Sequence, residues 1–356
     1  MPLRLDSISA FLDAPFDTII DARSPAEFAE DHVSGAISLP VLTDEERAQV
    51  GEIYAGDSFA ARKIGAALVA RNVAAHLEGP LAEKGGGWRP LVYCWRGGQR
   101  SGAFATILRQ VGWRAETVEG GYRAYRRLIA AAMHERPLPH RLVLLDGNTG
   151  TAKTEILARV AALGEQVVDL EGLASHRGSV FGAAGRPQPS QKAFEGALAA
   201  ALDALDPSRA VLVEAESSKI GRLQVPPSVW ARMLGADRFV VEAGLDARAN
   251  YLARTYSDLT ADSAELNRTL ELLRPLQGAA RVSEWRTLAD EGRFEALAAA
   301  LMSTHYDPRY AKSRPEGDVV LRVELGDMSE AALESATCRI AKALALRGKS
   351  AETPSR

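Results

Sequence analysis

The sequence predicts an α/β protein built from two parallel-sheet domains, and three observations carry that prediction. Short apolar runs ending in glycine-rich or acidic turns alternate with helical patterns, the arrangement that builds parallel sheets. Two of the strand-to-helix turns, 94–101 and 147–154, combine glycines with cationic and hydroxyl side chains, the chemistry of anion binding. The 356 residues exceed what one ordinary hydrophobic core organises, so two domains are expected.

The totals narrow the function classes. Apolar residues make up 46% and charged residues 25%, as in a soluble globular protein. The net charge of −3 leaves any nucleic-acid contact to local basic patches rather than a global field. The two cysteines, Cys94 and Cys338, lie far apart and show no metal-type Cys/His spacing. That usage suits a reducing cytosol, so a cytoplasmic location with a working thiol and no disulfide is expected. The first residues lack a signal-peptide pattern and no apolar run is long enough to span a bilayer, so no membrane partner is expected.

In the first domain, Phe16–Ile20 reads as a strand, and Pro25 suits the first position of a helix through Ala26-Glu27-Phe28. His32 to Pro40 reads as a turn entering a second strand. Residues 43–83 are helical in pattern, with Val50, Ile53, Tyr54, Ile64, Leu68, Val69 and Leu77 spaced for a buried face. Leu91, Val92 and Tyr93 then end a buried strand, and Cys94 sits where it stops. Trp95, Arg96, Gly97, Gly98, Gln99, Arg100 and Ser101 lead from the cysteine into a helix. Backbone N–H groups at such a turn favour an anion, and with arginine neighbours they can lower a thiol from ~8.5 to roughly 3.5–7.5. A small core cysteine at a strand end is the commoner case, but it needs no doubly cationic glycine loop. Cys94 is therefore read as a nucleophile. Glu116 to Glu119 is a last strand, and Gly120-Gly121-Tyr122 opens a helix.

The junction is placed at 123–141, where Arg123, Arg126, Arg127, Arg136 and Arg141 alternate with Pro137 and Pro139. This gives domains at 1–136 and 137–356. Leu142–Leu145 is a strand, followed by Gly147, Asn148, Thr149, Gly150, Thr151, Ala152, Lys153 and Thr154, then a helix. Strand, glycine loop, Lys-Thr and helix form a phosphate-binding P-loop: amides wrap phosphates, Lys153 reaches the terminal ones, and Thr154 is a possible magnesium contact. Ala152 stands where the pattern calls for glycine; in a left-handed backbone it would cost roughly 1–2 kcal/mol. The strands at 166–170 and 210–213 end in Asp169 and in Glu214 and Glu216, acids of the kind that position magnesium or a nucleophile beside a P-loop. Read more plainly, Asp169 and Glu214 are helix caps or paired surface acids. His176 and Arg177 lie on a glycine-flanked loop suited to phosphate. Residues 245–310 are helical, with a leucine series that is first of all core packing, and His305 to Tyr310 is an aromatic and cationic turn suited to stacking or phosphate binding. Val319–Leu325 is a final strand, and Cys338, in the last helix, is expected to pack.

The Asp21-Ala-Arg23-Ser-Pro-Ala-Glu27-Phe28 start, the His32 to Ala36 turn and the Cys94 loop resemble a rhodanese domain, whose cysteine carries sulfur as a persulfide. The Cys-five residues-Arg spacing from Cys94 to Arg100 is also that of cysteine phosphatases, although Tyr93 replaces their usual histidine and no general acid is evident. Fused to this P-loop domain, the whole resembles the tRNA 2-selenouridine synthase family. The strings that carry the resemblance are Tyr93 to Ser101, Glu119 to Tyr125, Asp169 to Ser179, Pro189-Ser-Gln191 with Phe194-Glu195, Glu214 to Ser217, and His305 to Pro308. Departures are Gln99, where methionine is expected, and Ala152.

The resemblance implies a rhodanese-like domain followed by a P-loop NTPase-like domain with a helical C-terminal portion. It implies a transferase that geranylates 2-thiouridine at the tRNA wobble position and replaces its sulfur with selenium. The co-substrates would be geranyl diphosphate and selenophosphate, the partners tRNA and an enzyme supplying selenophosphate, with no tightly bound cofactor and with magnesium as an accessory. Cys94 with its loop would handle selenium and the P-loop the diphosphate, with Asp21, Arg23, Asp169, His176, Arg177, Glu214 and Glu216 in support. Two other classes are weighed against this one. The first is a rhodanese-type sulfurtransferase or persulfide carrier coupled to a P-loop ATPase. The second is a non-catalytic tRNA-binding protein whose anion loops grip phosphates.

Overall fold

The computed structural model describes residues 2–12, 14–96, 98–176, 187–255, 263–313 and 317–347. It contains two compact units. One comprises Met1–Arg136 with Pro189–Ala204, the other Pro137–Gln188 with Leu205–Arg356. Residues 189–204, expected in the second domain, therefore belong to the first.

In the first unit, β1 (Thr18–Asp21), β2 (Ile37–Ser38), β3 (Pro90–Tyr93) and β4 (Glu116–Thr117) form a parallel sheet in the order β2-β1-β3-β4. Register is tight at its centre, where Ile20 pairs with both Ile37 and Val92. Both central strands are buried, and Ile20, Val92, Phe104 and Leu108 share one core with Trp88 and Trp113, whose rings meet edge to face at 5.0 Å. The 43–83 stretch is two helices, Asp44–Gly56 and Ser58–Glu78, because Asp57 caps the second by accepting the N–H groups of Phe59 and Ala60 at 2.9 Å. Its buried face differs from the expected one. Ala61, Val69 and Val73 are buried, whereas Tyr54 and Ile64 are exposed.

The basic run at 123–127 is not a linker but part of the helix Gly121–Ala130, whose Tyr122, Tyr125 and Ile129 are buried. Arg126 of this helix pairs with Glu195 on the helix Gln191–Asp203. Glu195 is 3% exposed, and it also accepts from Gln191 at 3.1 Å and lies 3.0 Å from His134. A buried carboxylate with that many partners replaces its lost hydration, which fixes the second helix in the first unit.

The second unit holds a five-stranded parallel sheet in the order β11-β10-β5-β7-β6, from β5 (Arg141–Asp146), β6 (Val167–Val168), β7 (Ala210–Glu214), β10 (Asp237–Ala243) and β11 (Val319–Leu325). A small antiparallel hairpin, β8 (Lys219–Ile220) with β9 (Leu223–Gln224), is separate. The chain leaves β5 toward β7 and β6 on one side and later fills β10 and β11 on the other. The carboxyl end of β5 is therefore a topological switch point, where open α/β sheets bind ligands. Between β10 and β11 the described residues are mostly helical, and Leu266, Leu270, Leu273, Val282, Trp285, Leu297 and Leu301 make a core of their own. Leu276 is exposed and Leu259 lies outside the described residues. Cys338, expected to pack, is exposed on the last helix, Glu330–Arg347.

Two non-glycine residues adopt the left-handed backbone among the described residues, Ser175 and, in the P-loop, Ala152. A Cβ on Gly147 would lie 2.6 Å from the carbonyl oxygen of Val241, so only glycine fits there. Ala152 has φ 57° and ψ 28°, the left-handed conformation that the sequence pattern assigns to glycine. Its methyl group is buried in the core beside Ile156 and Leu157. The conformation costs ~1–2 kcal/mol, and burying one methyl returns ~0.8 kcal/mol. Strain wins by a small margin. Ala152→Gly should accordingly leave urea unfolding unchanged or raise stability by up to about 1 kcal/mol; a loss of 1 kcal/mol or more would contradict this balance.

Candidate active site

The floor of the first site is a buried ion pair. Arg23 Nε donates to Asp21 at 3.0 Å and its Nη2 at 2.6 Å, and both residues are at most 1% exposed. Tyr93, the residue before the cysteine, donates its hydroxyl to Asp21 at 2.7 Å, and Arg23 lies 3.9 Å from the centroid of the Tyr122 ring. Tyr122 reaches the cysteine loop twice. Its ring packs against Trp95 at 5.4 Å, and its N–H donates to the Cys94 carbonyl at 2.8 Å. Asp21 and Arg23 thus support the loop from below, and no hydrogen bond joins either of them to the thiol among the described residues.

Cys94 follows β3, and the helix Gln99–Val111 begins five residues later, two residues earlier than the sequence suggests. The thiol is buried, and the Ser101 hydroxyl donates to its sulfur at 3.2 Å. Burial raises the pKa of the thiol. The Ser101 hydroxyl and amide, the Arg100 charge and the Gly98 amide outweigh that effect and hold Cys94 below its ordinary value. Arg100 is itself held by Glu27 at 2.8 Å, and Glu27 also accepts from Arg47 at 3.1 Å and from the Ser24 N–H at 3.1 Å. Arg96 and Gln99 are exposed on the loop; Gly97 lies outside the described residues.

The second site lies at the carboxyl end of β5. The P-loop precedes the helix Lys153–Ala162, and Lys153 folds back to donate to the carbonyls of Gly147 at 2.6 Å and Asn148 at 3.4 Å. A cavity of about 420 Å³ opens here, bounded by residues 149–155 and by Glu171, Tyr251, Leu252 and Tyr310. Thr154 donates to Glu171 at 3.2 Å, and Glu171 and Glu216 hydrogen-bond to each other. Burial and the Glu171 charge push Glu216 up to about 8, with Lys153 opposing. Tyr310 lies with its ring 5.5 Å from the Lys153 ammonium, and burial raises its hydroxyl well above the ordinary phenol range.

The supporting acids separate by position. Asp169 caps the helix Leu170–Ala174 by accepting the Gly172 N–H at 2.6 Å. Glu214 is buried, accepts the Leu170 N–H at 3.0 Å, and is driven up by burial and by its bond to Asp169. The acid that reaches the cavity is Glu171, two residues beyond Asp169, which sequence reasoning did not single out. His176 is half-buried with its imidazole pKa lowered by burial, and Arg177 lies outside the described residues. Sequence reasoning also missed Arg248, which is 5% exposed. Arg248 donates to the Thr149 carbonyl at 3.1 Å and to Asp307 at 2.9 Å, tying the P-loop to the helix Asp307–Ser313 that carries Tyr310, a stretch expected from sequence to be a turn. The Asp307 to Tyr310 string was a visible signal; its partner arginine was one among many.

The comparisons with known proteins agree on one grouping. The rhodanese-like domain profile matches residues 5–128, and the profile described as the tRNA 2-selenouridine synthase AAA domain matches residues 140–271. A tRNA 2-selenouridine synthase of Cupriavidus pinatubonensis is 32% identical over 82% of this chain and 87% of that protein. One of Chromohalobacter salexigens is 33% identical over 85% and 88%. The chain belongs to the tRNA 2-selenouridine synthase family. A third relative of that name, from Hahella chejuensis, is 40% identical over 70% of this chain and 66% of its own length. In this member of the family, among the described residues, no helix is long and apolar enough to cross a membrane.

The electrostatics of the cysteine yield a direct check. In a Cys338→Ser background, the rate of Cys94 alkylation by iodoacetamide should rise with pH around a midpoint below that of a free thiol. Ser101→Ala, which removes a donor to the thiolate, should shift that midpoint upward. An identical profile for the two proteins would mean that Ser101 does not stabilise the thiolate.

Proposed function

We propose that this chain is a tRNA-modifying enzyme that acts in two steps on a wobble 2-thiouridine. The observation that supports the reading is the presence, in one chain, of two strand-end loops of different chemistry that are each suited to an anion. One surrounds a thiol held toward its thiolate. The other is a P-loop cavity whose far wall, Tyr251, Leu252 and Tyr310, is aromatic and aliphatic.

At the P-loop, geranyl diphosphate would lie with its diphosphate on the amides of 149–154 and on Lys153. Its hydrocarbon would rest against Leu252 and Tyr251. The thione sulfur attacks C1 of the prenyl group, the C1–O bond breaks, diphosphate leaves with the electron pair, and the N3 proton of the base is lost. Lys153 and the amides stabilise the leaving charge where it develops. Hard oxygen donors at Thr154 and Glu171 fit a magnesium ion that keeps phosphate and water ligands, and such an ion would spread the same charge. Among the described residues no cluster of three metal-ligating His, Cys, Asp or Glu side chains exists.

The second step belongs to Cys94. A thione sulfur leaves poorly, whereas an alkylated sulfur leaves as a thiol. The selenium of selenophosphate attacks C2, the C2–S bond breaks and geranylthiol departs with the proton from selenium; water then attacks phosphorus, the Se–P bond breaks with its electron pair going to selenium, and phosphate leaves to give 2-selenouridine. The Cys94 loop would hold the tetrahedral oxyanion of selenophosphate beside the thiolate.

Nucleoside mass spectrometry of 2-thiouridine tRNA tests the division of labour. With both co-substrates, Cys94→Ala should stop at the S-geranyl nucleoside, and Lys153→Ala should lower geranylation at least a hundredfold. Wild-type yields of selenouridine from Cys94→Ala, or of geranylation from Lys153→Ala, would overturn the assignment. Unmodified thiouridine throughout, with rapid thiosulfate-to-cyanide transfer and ATP turnover, would favour the sulfurtransferase class instead.

A further inference from the structure

The first unit contains a second cavity, of about 370 Å³, that the steps above do not use. Leu42, Ala66, Val69 and Ala103 wall it, and Gln99 and Arg100 close one end. Those last two residues are also the end of the cysteine loop. On the helix Gln99–Val111, positions 99, 100 and 103 share one face, while Ser101 turns to the Cys94 sulfur. Cavity and thiol therefore lie against different faces of the first turn of this helix.

The walls are kept small. Gly65 also borders the cavity, from within the helix Ser58–Glu78. A Cβ there would meet only Val50, at 3.5 Å, which is ordinary contact, so the backbone does not require glycine. A mid-helix glycine costs ~1 kcal/mol relative to alanine, and here the missing Cβ faces Val50 of the neighbouring helix. The volume lies within the ~300–1,000 Å³ of small-molecule sites. Its lining is mostly aliphatic, the cations being Arg62 and the Glu27-paired Arg100, and this suits a hydrocarbon better than a base or a phosphate. Exposed apolar side chains, Tyr54, Phe59 and Ile64, lie on the same pair of helices.

We propose that this cavity receives the prenyl tail of the S-prenylated nucleoside while its C2 is presented to the selenium at Cys94. The proposal rests on the two-step reading above. In that sequence the tail arrives on the nucleoside and leaves as the thiol. A tail site beside Cys94 makes prenylated sulfur the preferred substrate, because a short S-alkyl group leaves the cavity unfilled.

The test is single-turnover selenation, below saturation, of tRNA carrying S-geranyl or S-methyl 2-thiouridine. The wild-type protein should turn over the geranyl substrate at least tenfold faster. Ala66 is exposed to solvent, so Ala66→Phe fills the cavity without loading the core, and its unchanged melting temperature and unchanged geranylation of thiouridine serve as controls. It should lower the geranyl-to-methyl ratio at least fivefold with the methyl rate unaltered, whereas Ala66→Ser should keep the wild-type ratio. An unaltered ratio in Ala66→Phe would overturn the tail site while leaving the two-step reading in place. Failure of the wild-type protein to selenate S-geranyl tRNA would overturn both.

Discussion

The buried pair between Asp21 and Arg23 is the constraint on which the cysteine site depends. Two charges this deep are tolerated only while each satisfies the other, since removing one partner of such a pair costs about 3–5 kcal/mol. Arg23 satisfies more than Asp21. It donates to the Asp31 carbonyl and lies over the Tyr122 ring, and Tyr122 in turn donates to the Asp31 carboxylate at 2.5 Å. Burial raises the pKa of Asp31, with Tyr122 and the nearby arginines opposing. The strand end of β1, the start of the helix at 121 and the loop after Cys94 are thus held to one polar centre. The thiol's own partners, Ser101 and Gly98, act on a loop whose position that centre has already set.

The two anion sites use the same backbone device in different ways. At Cys94 the amides stabilise a charge that belongs to the protein, and Glu27 holds Arg100 so that its cation acts at fixed range. At the P-loop, in the proposed reading, the amides would act on a charge that belongs to the substrate. There Lys153 bonds to the loop's own carbonyls, and burial together with the Glu171 charge holds the Glu216 carboxyl above its ordinary value. The strained left-handed backbone at Ala152 belongs to this second site, where strain is commonly stored.

Much of the fold was legible because strand-end turns carry their chemistry in short strings. β3 with Cys94, β5 with the P-loop, and Val319–Leu325 follow from apolar runs and the residues that stop them. Long-range pairing was not legible. The helix at 191–203 is amphipathic by its sequence, but its membership of the first unit depends on Glu195 meeting Arg126 and His134, more than sixty residues away. Glu171 was passed over in favour of Asp169 because the start of a short helix decides which acid caps and which faces the cavity. Tyr54 and Ile64 fit a helical period yet lie exposed, since a period does not say whether a neighbour covers the face. The same limit applies to Cys338. The departure at Ala152, by contrast, was readable as a conformational cost, and its φ of 57° agrees.

The central claim is that prenylated thiouridine passes from a P-loop site to a separate cysteine site. It is tested most directly by supplying that intermediate to a protein whose first site is disabled. Lys153→Ala protein, incubated with S-geranyl 2-thiouridine tRNA and selenophosphate, should form 2-selenouridine at the wild-type rate, as read by nucleoside mass spectrometry. A requirement for Lys153 with this substrate would contradict the separation and place both steps at the P-loop.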